Sequence, residues 1–470
     1  MSLPPILPLL VLLVLLVQSC TPLAIFPREG PTSSSSSSRK SSRPRRVYRS
    51  SYSSHASTRA VVSTSEYASS AIASGVDDGG DDIITTTPDE IFDEFVIFAS
   101  NFQARMIDEI ERVDGSGMCF TRDGWGSFAN DDRDDDRDGD TTTTRGGVGG
   151  GTGGITRVME GGNVIEKGAC SLTIVRDGVL TSDRATAMRG RRSRGGSSRG
   201  RSRGSRRSSE RDDHDDDEDD VVIAGGDAYS AAALSVVLHT RNPHVPTFRS
   251  DAHGGGGGEN DDDDDDDDDS SVVERSRSST LAWFGGGSDL TPYYLVDRDV
   301  IDFHAHLKGI CDRHFPDNDD DDDDDDDTLS YRAMKRSCDE YFYLPARAEH
   351  RGTGGIFFDD VPATRKSLDF VMDVARGWMP SWLPIVSRNR DRGYTIEQRH
   401  WQCLRRGRYL EFNLLYDRGV RFGLANANPR VEGVMVSAPP MIAYDYNHVP
   451  SPGSEEERLV EVLKKPRDWV

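Results

Sequence analysis

The chain is poor in the features that announce common site chemistries. Of its 470 residues only six are cysteines, at positions 20, 119, 170, 311, 338 and 403, and no two form a CxxC pair or join histidines at zinc-ligand spacing. That scarcity argues against a structural zinc and against a disulfide framework; five scattered core thiols suit a reducing compartment. Long apolar runs are missing too. The single one, Ile6–Val17, falls short of the ~20 residues that cross a bilayer and sits where a secretory h-region sits, so no stable membrane span is expected. The Gly-rich stretch 149–154 lacks the GK[ST] of a phosphate loop. Basic character is confined: Arg189–Arg211 holds ten arginines but runs straight into Asp212–Asp220, which neutralises it, so nucleic acid is not an expected partner. The net charge of −24 misleads, because Asp261–Asp269 and Asp319–Asp327 supply 18 of the acids. The acidity is inserted, not spread over a surface.

What is present divides the chain. Residues 1–24 read as a signal peptide, with Cys20 as a competing but poor lipobox. Residues 25–86 read as a disordered Ser/Arg-rich leader of transit-peptide composition, in which Glu66 is the one acid of the Pro31–Ser74 stretch. A signal followed by a transit segment resembles the two-part leader of algae whose plastids lie within the endomembrane system, which predicts a plastid location; an untargeted Ser/Arg tail is the other reading. Residues 87–470 read as one catalytic domain interrupted at 131–145, 189–220, 254–279 and 317–328 by low-complexity inserts. Such like-charge or Gly-rich runs cannot bury apolar surface and must loop outward.

Within that domain Thr87-Pro88-Asp89-Glu90 predicts a capped helix start, followed by Ile91, Phe95, Phe98, Phe102, Met106 and Ile110 at helical spacing. Val300, His304, Leu307 and Cys311 share a helix face, as do Leu368, Val371, Met372 and Ala375. Ala232–Leu238, Tyr409–Tyr416 and Val431–Ser437 read as strands, with a hairpin turn at Asp417-Arg418-Gly419. Strands without a regular βαβ rhythm predict an α+β fold, a large antiparallel sheet flanked by helices on both sides. Asp289, after three glycines and an aromatic pair, is either a ligand-facing carboxylate or a turn aspartate capping its own backbone.

Long mixed motifs then become recognisable. Trp283–Tyr294, Arg351–Asp360, Arg405–Leu414, Lys465–Trp469, Gly153–Val158, Glu166–Gly168 and Asn242–Thr247 together closely resemble oxygen-dependent coproporphyrinogen III oxidase, in the family's order and over nearly the whole domain. The resemblance implies a homodimer that takes coproporphyrinogen III and oxygen, converts two propionates to vinyls, gives protoporphyrinogen IX, and needs no metal and no organic cofactor. It implies that Ser235 and His239 line the substrate strand, that Asp289 receives the pyrrole N–H groups, that His304 is the inward histidine, and that Arg351 and Arg430 serve substrate binding.

Four departures stand where the resemblance implies catalytic or binding groups. Arg249 replaces a histidine expected as proton donor, Asp251 replaces an asparagine, His253 replaces a propionate-binding arginine, and Ala346 replaces a further histidine. Arginine cannot act as a general acid near neutral pH. The residues therefore allow an oxidase in which Arg249 holds a propionate while His253 or His239 moves the proton, a porphyrinogen binder without turnover, or a coding sequence misjoined around Ala252–Thr280, where a strand would be expected.

Overall fold

The computed structural model describes residues 87–129, 152–179, 228–258, 281–316, 329–417 and 430–470, with Val420 and Leu424 between the last two stretches. The expected leader and the inserts at 131–145, 189–220 and 317–328 lie outside the described residues, as does the larger part of 254–279.

Helix α1, Pro88–Asp114, starts as its sequence dictates: Thr87 accepts from the Glu90 amide and Glu90 answers the Thr87 amide, and Gly115 closes the helix in the left-handed region at φ 64°. Ile91, Phe95, Phe98, Met106 and Ile110 are buried and Phe102 packs against them. The sheet then builds almost without crossing. Strands β1 (Thr121–Gly126), β2 (Gly153–Glu160), β3 (Ile165–Val179), β4 (Ala228–Thr240), β5 (Thr247–Gly258) and β6 (Leu281–Thr291) pair antiparallel in chain order. After helices α2 (Asp297–His314) and α3 (Tyr331–Tyr341) and a two-residue hairpin, β7 (Tyr343–Leu344) with β8 (Glu349–His350), strand β9 (Gly354–Pro362) adds itself beside β6. Helices α4 (Arg365–Asn389), α5 (Ile396–Leu415), α6 (Val431–Val434) and α7 (Glu455–Lys464) follow.

Antiparallel register puts directly opposed residues on one face, so the sheet has two distinct sides. One carries Leu172, Ile174, Leu234, Val236, Leu238, Phe248, Phe284 and Ile356 against α1, α2 and α4. Phe95 meets Phe284 edge-on at 5.4 Å, Phe248 meets Trp382 at 5.9 Å, and the Trp382 indole donates to Pro246 O. Truncating one such fully buried phenylalanine costs about 3–5 kcal/mol. The other side is polar and is met by α3 and α5, where Tyr341 stacks on Phe357 at 4.8 Å. Helices therefore flank the sheet on both sides, an α+β architecture.

Four expectations change. Tyr409–Tyr416 is the end of α5, not a strand, because Thr395 and Gln398 form a capping box that commits the segment from its start. The hairpin expected at 417–419 loses its first strand, and Arg418 and Gly419 lie outside the described residues. Val431–Ser437 begins as the short helix α6. The tract from Ala252 also opens differently: residues 252–258, glycines included, continue β5 and pair with both β4 and β6.

Candidate functional site

The polar face is organised in lateral rows. Val237, Arg249 and Asp289 align across β4, β5 and β6; the next row holds Ser235, Asp251 and Gly287; the next Ala233, His253 and Gly285. Period-two alternation along β5 thus brings Arg249, Asp251 and His253 to one face. They form a buried chain of alternating charge. Arg249 Nη1 lies 2.7 Å from Asp251 Oδ1 and 3.9 Å from Asp289 Oδ1. Asp251 Oδ2 accepts from His253 Nδ1 at 3.1 Å, and His253 Nε2 lies 3.8 Å from Asp359 Oδ1 on β9. At the other end Arg351 Nη2 donates to both oxygens of Asp289, at 2.8 and 2.7 Å.

Each link has a local cause. The Arg351 guanidinium sits in an aromatic cage, 3.9 Å from the Phe342 centroid, 4.5 Å from Tyr409 and 4.9 Å from Phe412, and Arg249 shares the Phe342 ring at 5.3 Å. Gly285 is required by close approach: a Cβ there would stand 2.3 Å from His253 Nε2 and 2.9 Å from Asp359 Oδ1. Trp283 closes the cell edge-on to His253 at 5.8 Å. The glycines before Asp289 are therefore strand positions that make room for a ring, and Asp289 is a strand residue, not a turn aspartate.

Protonation follows from these partners. Burial opposes a charge on His253, but its hydrogen bond to Asp251 and the negative charges of Asp251 and of nearby Asp359 outweigh it and raise the imidazolium to about 9. Asp251 loses water on burial, yet Arg249 and His253 hold its carboxyl below the usual range. The chain alternates three basic side chains with three carboxyl groups, and among them Arg249 Nη1 and His253 Nε2 are buried donors with no aligned acceptor. Asp417, just past α5, is buried, which raises its carboxyl, and it feels Arg249 and Arg351; from sequence it reads as a hairpin residue. Asp359 and Tyr409 were also missed as members of the site, although both stand within the quoted motifs.

The remaining candidates lie apart. His239 is fully enclosed: its Nε2 donates to Ser437 O at 2.9 Å, Nδ1 accepts from Thr247 Oγ1 at 3.2 Å, and Thr247 is in turn bonded to Tyr293. Burial, with Arg406 nearby, keeps it neutral well below its ordinary range. It is a satisfied structural histidine in this arrangement. His304 accepts from Tyr331 Oη at 2.7 Å, bonds Thr353 O at 3.2 Å and stacks on Trp469; burial and Lys335 lower it to about 3, so it fixes the segment after Arg351 and faces no open site. Ser235 is half-buried in the row of Asp251. Arg430 stands at the start of α6 and pairs with Asp123 on the outer strand β1, away from the charged chain. Ala346 is exposed in the β7–β8 turn, its amide donating to Tyr416 Oη. Cys119 is exposed, and Cys170, Cys311, Cys338 and Cys403 are buried free thiols. Among the described residues no cluster of three or more His, Cys, Asp or Glu could hold a metal ion, and no helix is long and apolar enough to cross a membrane.

A family model for coproporphyrinogen III oxidase matches residues 94–469. The chain belongs to the coproporphyrinogen III oxidase family. It is 36% identical over 321 residues to the oxygen-dependent coproporphyrinogen-III oxidase of Drosophila melanogaster, covering 67% of this chain and 68% of the relative. It is 36% identical over 319 residues to the mitochondrial enzyme of Homo sapiens, covering 67% and 58%. The match to the oxidase of Francisella philomiragia is 34% over 321 residues, 67% and 83%. The oxidase motifs of β2, β6, β9 and α5 are the segments that build the polar face.

Proposed function

We propose that the protein catalyses the oxygen-dependent oxidative decarboxylation of two propionates of coproporphyrinogen III to vinyls, giving protoporphyrinogen IX in tetrapyrrole biosynthesis. The observation that carries this reading is the family match over residues 94–469, with the matched motifs converging on one buried charged face. For each vinyl, the carbon next to the ring gives up a hydride equivalent and the carboxylate leaves as carbon dioxide. The electron pair of the broken C–C bond becomes the new π bond, while oxygen takes the hydride and one proton to become hydrogen peroxide. The reduced pyrroles are electron-rich, so the protein's tasks are to orient the macrocycle, exclude water and deliver that proton. No organic cofactor or metal enters this scheme.

In this reading Asp289, positioned by Arg351, offers its remaining lone pairs to pyrrole N–H groups, and Arg249 Nη1 is a donor for a propionate. His253 carries the proton, since it is protonated at neutral pH whereas His239 is neutral and fully bonded. Asp251 positions both cations. Arg430 would act, with Asp123, only at the outer strand β1. Homodimerisation is supported by exposed apolar residues gathered late in the chain, Leu414, Leu415, Met441, Tyr444, Tyr446 and Val449, and would show as a doubled mass in sedimentation. Plastid import, supported by the leader's composition, would show in a fluorescent fusion of residues 1–86.

The deciding assay is aerobic incubation of purified protein with coproporphyrinogen III, following protoporphyrin fluorescence after oxidation, carbon dioxide and peroxide. Tetrapyrrole retained without carbon dioxide release would overturn the proposal.

A further inference from the structure

One lateral row of the polar face reads Asp123, Thr156, Ser171, Ser235, Asp251, Gly287, Phe357 across all seven strands. Three neighbours in it carry hydroxyls, at successive strand spacings of about 4.8 Å. Each points to the polar face, because Asp251 in the same row does. Thr156 is 6% exposed, and the sheet around it is closed: Ala169, Thr173, Ala233 and Val237 on the same face are all buried. Ser171 and Ser235 are the exceptions, half-buried at the centre of the sheet. Among the described residues no hydrogen bond engages the hydroxyl of Thr156, Ser171 or Ser235, and none of the three is among the enclosed polar atoms left without a partner. A window of unspent donors thus opens beside the Asp251 end of the charged chain.

We infer that Ser171 and Thr156, in the row of Ser235 that the resemblance already assigns to the substrate, seat the carboxylate of a propionate that is to be lost, with Ser171 as the central positioning residue; this rests on the activity proposed above. Two hydroxyls about 5 Å apart on adjacent strands can each donate to one oxygen of a carboxylate bridging them. The seat is neutral, and that suits the chemistry. A departing carboxylate surrenders its negative charge on the way to carbon dioxide, so a guanidinium would stabilise the starting state more than the transition state and slow the step. Hydroxyls orient the group while holding its charge less tightly. Propionates that survive the reaction gain from cations, and those are placed elsewhere on the face, on Arg249 and on half-buried Lys167, whose Nζ is bonded to Ala438 O.

The test pairs two stable porphyrins with turnover. Coproporphyrin III carries all four propionates, whereas mesoporphyrin IX has ethyl groups in place of the two that react. Ser171→Ala and Thr156→Val should each weaken coproporphyrin III by about 3- to 10-fold, the loss of one ordinary hydrogen bond, while mesoporphyrin IX binds within twofold of wild type. With coproporphyrinogen III the same variants should lower kcat more than they raise KM and accumulate the monovinyl tripropionate intermediate. Ser171→Thr, which keeps the hydroxyl, should restore both readouts. Unchanged coproporphyrin affinity, or equal loss of both porphyrins with no rescue by Ser171→Thr, would overturn the seat. A wild-type protein that binds but never turns over would refute the activity alone, since the porphyrin pair still decides where the propionate lies.

Discussion

Removing the charge of His253 tests the site most directly. Its imidazolium is raised from 6.5 to about 9 by Asp251 and Asp359 against the penalty of full burial. Because the folded value lies above the unfolded one, the stabilisation is complete below pH ~6.5 and disappears as pH rises through about 9, and a shift of this size is worth on the order of 3 kcal/mol. His253→Gln keeps a hydrogen-bonding side chain but no charge. The variant should therefore be less stable than wild type by on the order of 3 kcal/mol at pH 6, and the gap should close towards pH 10. Urea unfolding of both proteins at pH 6, 8 and 10 reads this, and the difference between them cancels titrations they share. The catalytic arm follows from the same proton. Wild-type kcat/KM should fall along a basic limb near pH 9, and the variant should lack the limb and lose roughly 10²–10⁴ in kcat. A stability gap that does not change with pH, together with an unaltered pH–rate profile, would refute both the ionic state of His253 and its role.

Asp289→Ala should destabilise the fold as well as abolish turnover, because it strands the Arg351 guanidinium, 3% exposed, without its bidentate partner, at a cost of about 3–5 kcal/mol; thermal unfolding reads the cost, and a variant as stable as wild type would refute the pairing. Gly285→Ala should push the His253 ring off Asp359 and move the basic limb towards lower pH, since a Cβ would stand 2.3 Å from Nε2; an unchanged limb would show that the ring has room. Arg249→Ala should raise KM more than it lowers kcat if the guanidinium is a ground-state anchor. Activity should survive exhaustive dialysis against a chelator, and a loss reversed by an added divalent ion would require a metal in the scheme.

Much of the frame was legible because it is local. The Thr87 capping box, the stripe Val300, His304, Leu307 and Cys311, and the strand Ala232–Leu238 each depend on spacing within one element, and all formed as spacing predicts. Tyr409–Tyr416 misled because tyrosine, phenylalanine and leucine also suit strands. The deciding signal, Thr395 with Gln398, lay 14 residues earlier than Tyr409. Val431–Ser437 misled in the same way, its valines outweighing Gly433. In the site, the i, i+2, i+4 pattern of Arg249, Asp251 and His253 already placed them on one face. Which anions they would meet was not legible, because Asp289 and Asp359 arrive from β6 and β9, and only strand register brings them alongside. The same distance hid the cage around Arg351.

Six charges on one sheet face, five of them buried, are a poor way to stabilise a sheet. Taking each from water costs several kcal/mol, and well-packed apolar residues of similar volume are often as good or better. The chain nevertheless surrounds these six with a rigid setting: an aromatic cage at one end, a glycine cut to fit a ring at the other, and β-sheet on both sides. Along β5 arginine stands at 249 and histidine at 253, with Asp251 between them. Alternation of sign holds because the Asp251 carboxylate separates the two cations, so the three positions form one coupled unit. What the arrangement retains is a group protonated at neutral pH, His253, one strand row from the hydroxyls of Ser235 and Ser171. The proposed reaction consumes one proton for every carboxylate it releases, and a proton carrier and a carboxylate seat in adjacent rows would account for a network that stability alone would not favour.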